Sequence, residues 1–229
     1  MSRDPNYVPA VNPLPAAVVL VAILMAAPEI VFQIGALGLA GGPEAIGWRV
    51  DAVQRFAFAG DILRWMWETG RWPPEHLVRL VSYPFVHGSL TQTLIAGVMF
   101  LAMGKMVAEV FGGVAMAVIF FASAVVGALA FTLLSTGPAL LIGAFPPIYG
   151  LIGAFTWLLW RRLSLVGANQ ARAFSLIGFL MGIQLLFGLL FGGTSDWQAD
   201  LAGFATGFLL SFVLAPGGWT RLLHKLRQE

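Results

Sequence analysis

The stretch that decides the fold is Val110–Trp160, VFGGVAMAVIFFASAVVGALAFTLLSTGPALLIGAFPPIYGLIGAFTWLLW, which contains no charged residue. A helix needs about 20 apolar residues to cross the hydrocarbon core of a membrane. This stretch is too long for one such helix, and Ser135-Thr136-Gly137-Pro138 interrupts it with residues typical of turns. It therefore predicts two membrane-spanning helices, at about 111–134 and 146–160.

The composition of the whole chain also indicates a membrane protein. Of its 229 residues, 59% are hydrophobic and 10% are charged, whereas ordinary globular domains have about 45–50% and about 25%. Thirteen Lys and Arg against eleven Asp and Glu give a net charge of +2, which argues against nucleic acid as a partner. The absence of cysteine excludes a disulfide framework and a thiol nucleophile.

Four further apolar runs predict four further spans. They are Leu14–Leu39, Leu90–Met103, Ala173–Phe191 and Trp197–Leu214. We therefore expect an all-α, polytopic membrane protein, a six-transmembrane-helix bundle over residues 14–215. Residues 1–13 and the short basic segment 216–229 are expected to form its tails.

Residues 41–89, between the first two spans, differ in composition from the rest. They hold five acids, five arginines and four tryptophans, Trp48, Trp65, Trp67 and Trp72. Because tryptophan rings favour the headgroup level of a membrane, we expect a large structured loop at the interface, with a short helix over 62–67.

The basic residues predict the orientation of the bundle. Cytoplasmic loops carry an excess of Lys and Arg, and the two short loops at 135–142 and 192–195 have none. Both termini are therefore expected in the cytoplasm of a bacterial cell, with the protein in the inner membrane. The basic residues on that side are Arg3, Lys105, Arg161, Arg162, Arg172, Arg221, Lys225 and Arg227.

Ionisable residues within spans are costly and are candidates for function. Glu29 and Gln33 lie one turn apart on the first span, and we expect Glu29 to reach the interface or to pair with a loop arginine. On the last span Asp200 lies one turn deeper than Asp196, so it should face a cavity or a partner.

No motif in the sequence predicts a metal or a cofactor. His76, His87 and His224 are scattered, without the spacing of a zinc site. Glycine-rich phosphate loops are absent as well. We expect no cofactor, and His87 taken alone is typical of a structural loop residue.

Four segments follow one another in an order typical of one family. They are Trp48-Arg49, His87–Leu90, Gly143–Ala154 and Asp200–Gly207, the last with the pattern Asp-Leu-Ala-Gly-x-x-x-Gly. In this order and on these spans, they resemble the rhomboid family of six-helix intramembrane serine proteases over nearly the whole chain. The residues that match positions with a structural rather than a catalytic role in that family are Trp48, Arg49, Gly143, Tyr149, Gly150, Gly203 and Gly207.

The resemblance implies where the family chemistry would lie, and the residues found there do not fit it. Rhomboids attack the peptide carbonyl with a serine at the start of helix four, activated by a histidine on helix six. Here Phe145 stands at the serine position and Asp200 at the histidine position, while Pro146 replaces the following glycine.

The resemblance also implies positions whose side chains stabilise the oxyanion, and the residues found there differ from those of the family. They correspond to His87, Gln92 and Ala96, of which Gln92 replaces the family's second histidine and Ala96 its asparagine. Gln92 can still donate a hydrogen bond, whereas Ala96 cannot. We expect a neutral Asp200 carboxyl with Gln92 as its hydrogen-bonding partner.

The structural positions match the family better than the chemical ones. Gly203 and Gly207 form a small-x-x-x-small face, which we expect to pack against Gly150 and Gly153. Tyr149 keeps the ring that stacks on the histidine in active rhomboids. Helix four is expected to begin at the position of the missing serine.

Trp48 and Arg49 are expected to serve stability or client handling. The Trp48 ring can be buried at the interface. Arg49, with five donors in a planar fork, could tie several loop carbonyls or one carboxylate, from the five loop acids or from Glu29. The alternative is a solvated Arg49 that binds lipid headgroups.

The pattern is similar to the pseudoproteases of the family. What it implies is a non-catalytic binder of transmembrane clients, in trafficking or quality control, with membrane lipids as its other partners. Two alternatives stay open. One is an active serine endopeptidase that uses a displaced serine, Ser89, Ser135 or Ser195. The other is a small transporter or channel with Glu29, Gln33 and Asp200 as its polar path.

Overall fold

The structure is a computed structural model that describes residues 13–134, 140–191 and 196–216. The helices are α1 (Ala16–Ala36), α2 (Trp48–Phe56), α3 (Gly60–Thr69), α4 (Pro74–Leu77), α5 (Arg79–Ser82), α6 (Leu90–Phe111), α7 (Gly113–Leu134), α8 (Phe145–Leu165), α9 (Ser175–Phe191) and α10 (Asp196–Leu214). Shorter 3-10 helices are Pro43–Gly47, Tyr83–Phe85 and Gln170–Phe174. Two short strands are β1 (Phe58–Ala59) and β2 (Leu140–Leu141).

Four of the described helices, α1, α6, α7 and α10, are long and apolar enough to cross a membrane. Helix α8 has 21 residues and α9 has 17, or about 31 and 25 Å at 1.5 Å per residue, against a hydrocarbon core of about 30 Å. The prediction of a polytopic helical protein is confirmed, with one pair of two-residue strands added. The count of six spans stays a prediction.

Two predicted spans ended too early because we placed their ends at charged residues. Helix α6 continues past Met103 through Lys105 and Glu109, which approach each other to 3.8 Å one turn apart. It ends at Gly112, whose φ of +89° suits a residue without a side chain. Helix α8 likewise runs to Leu165, because long basic side chains extend from a helix end without breaking it.

Helix α8 is the centre of the bundle, packed against α6, α7 and α10. Its glycines and those of α10 let the two backbones touch. A Cβ on Gly207 would collide with the Gly150 carbonyl oxygen, and one on Gly203 with the Pro146 carbonyl oxygen. The expected small-residue contact between these helices is therefore present.

The segment 41–89 is folded and is joined to the residues that lead into α8. Strands β1 and β2 pair antiparallel, with Phe58 opposite Leu141 and Ala59 opposite Leu140. The fully buried Tyr83 donates its hydroxyl to the Ala124 carbonyl of α7 at 2.9 Å, and its own carbonyl accepts from the Gly143 amide at 3.0 Å. The loop therefore fixes the position at which α8 begins.

The helix predicted over 62–67 is present as the longer α3. Its Leu63 and Met66 are buried in one apolar cluster with Phe131 of α7, while Trp65 and Trp67 are exposed. One face of α3 therefore packs against the bundle, and the opposite face is exposed.

Candidate functional site

Helix α8 begins at Phe145, the residue at the implied nucleophile position. Pro146 and Pro147 occupy its first turn, where a missing N–H is not needed for the helix. Just before it, Gly143 has a φ of +88°, which favours glycine. The sequence therefore starts a helix here and presents a phenyl ring where a hydroxyl would be needed.

A cavity of about 380 Å³ lies beside the start of α8. Its wall is mostly apolar and comes from α6, α8, α9, α10 and the segment before α8. The polar side chains in the wall are Gln92, Tyr149, Gln184, Asp196 and Asp200. The structure thus brings Phe145, Gln92, Tyr149 and Asp200 together around one space.

Asp200 is almost completely buried, with 2% of its surface exposed. Its Oδ2 accepts a hydrogen bond of 2.9 Å from Gln184 Nε2 of α9, while Oδ1 is buried without a hydrogen-bonding partner among the described residues. Tyr149 donates its hydroxyl to Gln184 Oε1 at a longer 3.5 Å. The expected pairing of Asp200 with Gln92 is therefore wrong.

Gln92 is engaged at the start of its own helix instead. Its Oε1 accepts from the Gly88 amide at 2.8 Å, and its backbone amide donates to Ser89 Oγ at 3.2 Å. This local capping holds the side chain beside Gly143. Ala96 is fully buried in the core.

His87 is buried just before α6, with 1% of its surface exposed. Its Nε2 has no hydrogen-bonding partner in the described part of the chain. Burial lowers the pKa of His87 from 6.5 to about 4, with Glu29 opposing the shift and Arg49 adding to it. His87 is therefore neutral at neutral pH and does not belong to the described wall of the cavity.

Arg49 forms the centre of a second polar cluster, between the loop and α1. Its Nη1 and Nη2 donate to the two carboxylate oxygens of Glu29 at 2.9 and 2.7 Å, and Nη1 also donates to the His87 carbonyl at 2.9 Å. Glu29 accepts further bonds from Gln33 at 2.7 Å and Thr93 at 2.8 Å. Of the carboxylates considered, Glu29 rather than a loop acid is the partner.

Trp48, the neighbour of Arg49, packs on α1. Its ring lies so close to Gly35 and Gly41 that a Cβ on either residue would overlap it. Only residues without a side chain leave room for the indole at these points. The pair Trp48-Arg49 therefore attaches the loop to α1 by shape and by charge.

The chemistry available in the cavity is that of hydrogen bonding. Among the described wall residues, the hydroxyl groups are limited to the phenol of Tyr149, with no serine or threonine. Ser89 lies at the cap of α6, and Ser135 and Ser195 lie outside the described residues. In the ranges that the structure describes, no group of three His, Asp or Glu side chains could hold a metal ion.

Comparison with known families gives a match to the Rhomboid domain over residues 74–217. That range covers more than half of the chain. The chain belongs to the rhomboid family. No curated protein matched it.

The rhomboid match contains the start of α8, the cavity and α10, but begins after Trp48 and Arg49. Both positions at which the resemblance implies the rhomboid dyad, Phe145 and Asp200, lie in the wall of one cavity. The structure therefore brings these two positions together around one space.

Three polar residues of this rhomboid that make buried or partly buried hydrogen bonds, Gln184, Tyr83 and Thr93, are not predicted by the sequence. Gln184 carried a usable signal, because it is the one amide or charged side chain between Ser175 and Phe191 in an apolar helix. Tyr83 and Thr93 carried none, since nothing local shows which buried carbonyl or carboxylate a hydroxyl will reach.

Proposed function

We propose that this rhomboid-family protein is a non-catalytic membrane protein that binds transmembrane segments of other membrane proteins. The observation that carries the proposal is the cavity beside α8, where Phe145 and Asp200 stand at the implied positions of nucleophile and base. Trafficking or quality control of membrane proteins is the class of process in which such a binder would act.

Loss of the dyad argues against hydrolysis by the family route. A phenyl ring cannot attack a carbonyl, and Asp200 has no hydroxyl of a serine beside it to activate. In serine hydrolases, removal of the triad residues lowers the rate by about 10⁶. Among the described residues of its wall, the cavity has polar groups that can bind a peptide group and no serine that could cleave it by acyl transfer.

The shape of the cavity supports the binding of a membrane-embedded segment. Met99 of α6 and Leu180 and Ile183 of α9 line it, so apolar side chains of two long helices form part of its wall. Apolar side chains with a few converging polar groups are typical of ligand sites.

We also propose six spans, with both termini in the cytoplasm and the protein in a bacterial inner membrane. Helix α8 lies among three apolar helices and is long enough to cross. The 3-10 helix Gln170–Phe174 directly precedes α9 and lengthens that span. The orientation is supported by the distribution of Lys and Arg, which are absent from the two short loops at 135–142 and 192–195.

The absence of protease activity can be tested with the purified full-length protein in detergent. A serine-reactive fluorophosphonate should not label it, and a rhomboid substrate should stay intact while an active rhomboid, run in parallel, cleaves it. Labelling that disappears on Ser89→Ala or Ser135→Ala would overturn the non-catalytic proposal.

Client binding can be tested by photocrosslinking in native membranes. A photoreactive residue at position 145, in the cavity wall, should give adducts whose peptides map to transmembrane segments. The matched control is position 134, an exposed leucine at the same end of the bundle. Equal protein adducts from both positions, or lipid adducts alone from position 145, would contradict the proposal.

A further inference from the structure

The side chain of Asp200 is only partly satisfied in the fold. It is 2% exposed, and of its two oxygens Oδ2 accepts from Gln184 while Oδ1 has no hydrogen-bonding partner among the described residues. A buried carboxylate is costly unless a cation or several donors meet it. Among the described residues, Asp200 therefore lacks the cation or the further hydrogen-bond donors that would offset the cost of its burial.

The wall of the cavity does not supply that partner. Of the described residues in it, two are acids, Asp196 and Asp200, and none is basic. Arg49 already binds Glu29 and the His87 carbonyl, and His87 is neutral at neutral pH because burial lowers its pKa to about 4. The cavity is thus complementary in charge to a cation from outside the chain.

We propose that the cavity selects transmembrane segments that carry a lysine or arginine near their outer end, with Asp200 as the group that binds the cation. This inference rests on the proposed function and names the class of client. A basic side chain inside a membrane is also costly, so pairing of the two offsets part of the cost of each.

The dimensions of the site fit such a side chain. Its volume of about 380 Å³ lies within the range of about 300–1,000 Å³ for ligand sites. The apolar wall can contact the aliphatic stem of a lysine, which such side chains bury while the head group finds a polar partner.

The depth of the site fits as well. Asp200 lies four residues after the start of α10, about 6 Å along the helix axis. A client cation would therefore meet it within the outer part of the membrane. In the free protein a neutral Asp200 carboxyl is held by the Gln184 amide. When an ammonium or guanidinium group enters, the carboxyl releases its proton to water and pairs with the cation as a carboxylate.

The test uses three synthetic transmembrane helices in phosphatidylcholine vesicles that contain the full-length protein. The helices are identical except for one outer position, which holds lysine, norleucine or acetyl-lysine. Fluorescence energy transfer to the labelled protein reports binding. We expect the lysine helix to bind about ten-fold tighter than the other two, equivalent to about 1.4 kcal/mol.

The variant Asp200→Asn should remove most of this preference, whereas Asp51→Asn, which removes an exposed loop carboxylate, should keep it. Equal binding of all three helices to the wild-type protein would overturn the inference. A lysine preference that survives in Asp200→Asn would overturn it as well. Either result would leave the proposed function intact. Binding of no helix, together with no protein adducts from position 145, would count against the proposed function itself. The comparison of lysine with norleucine needs no variant, so the test holds even if Asp200→Asn fails to fold.

Discussion

Arg49 connects three parts of the chain through one side chain. Both carboxylate oxygens of Glu29 on α1 accept from its guanidinium, the His87 carbonyl before α6 accepts from Nη1, and Thr93 of α6 donates to the same Glu29. The cluster is largely enclosed, with the Glu29 side chain 6% and the Arg49 side chain 22% exposed. Bidentate geometry of this kind depends on the planar fork of arginine.

Replacement of Arg49 should therefore destabilise the fold even when the charge is kept. Arg49→Lys should lower the thermal midpoint in detergent nearly as much as Arg49→Ala, because an ammonium group cannot meet both carboxylate oxygens and the carbonyl together. Breaking a buried pair costs about 3 kcal/mol, and each kcal/mol corresponds to about 2–4 °C in a protein of this size.

The exposed Arg71→Ala serves as the control for this comparison and should leave the midpoint unchanged. If Arg49 only met lipid headgroups, the lysine variant would behave like the wild type. If both Arg49 variants had the thermal midpoint of the wild type, Arg49 would not contribute to the stability of the fold.

His87 makes the stability depend on pH in a defined window. In the folded protein the pKa of His87 is lowered from 6.5 to about 4 by burial. Between these values the unfolded chain binds a proton that the folded chain does not, so stability falls as the pH falls from 6.5 to 4. At 1.36 kcal/mol per pKa unit, the loss approaches about 3 kcal/mol.

The measurement is the free energy of unfolding in detergent from pH 7 to pH 4, for the wild type and for His87→Gln. The wild type should lose stability more steeply across this window than the variant, which has no imidazole to protonate. Parallel curves for the two proteins would show that His87 does not contribute to the pH dependence.

At the scale of elements, the contact between α8 and α10 depends on backbone approach. A Cβ on Gly207 would overlap the carbonyl oxygen of Gly150, and neither group belongs to a flexible side chain. Close packing of this kind is how small residues hold membrane helices together. Asp200 and Phe145 lie near the N-terminal ends of these two helices, so the contact also sets the shape of the cavity.

We expect Gly207→Ala to separate α8 from α10 and to destabilise the protein by about 3 kcal/mol, the upper part of the usual range for overpacking. Gly97→Ala is the matched control, because a Cβ on Gly97 of α6 would meet nothing within 4 Å. That variant should be neutral or slightly stabilising, since alanine favours a helix more than glycine does. Equal thermal midpoints for the two variants would contradict the packing argument.

At the scale of the whole molecule, the described helices form one bundle in which α8 is surrounded. Four helices could cross a membrane by length and apolar character alone. Helix α8 needs less apolar surface because its neighbours cover it, and its residues Ile148, Leu151 and Ile152 are at most 1% exposed. Burial inside a bundle thus allows a helix that is richer in glycine and aromatic residues.

Reporter fusions test the resulting topology. Position 65, in α3, should lie outside the cell, and positions 105 and 165, at the ends of α6 and α8, should lie inside. These expectations combine the six-span count with the distribution of Lys and Arg. A reporter at position 165 that lies outside would exclude six spans.

Much of the architecture could be predicted because the membrane restricts what a chain can do. Apolar runs of about 20 residues must be helices there, and so the long helices were found within a few residues at most ends. The spacing of Gly203 and Gly207 predicts a close helix contact, and the family resemblance predicts α8 as the partner. The larger errors, at the ends of α6 and α8, arose because charges at a helix end are compatible with a longer helix.

The sequence by itself determined the helical architecture, the family, and the absence of a serine at the start of α8. The tertiary structure alone decided that Arg49 pairs with Glu29, that Gln184 rather than Gln92 meets Asp200, and that the loop joins α8 through β1 and β2. Such pairings depend on distances between elements that lie far apart along the chain, and no local pattern contains those distances. Periodicity shows which residues share a face, whereas only the packed bundle shows which face each one meets.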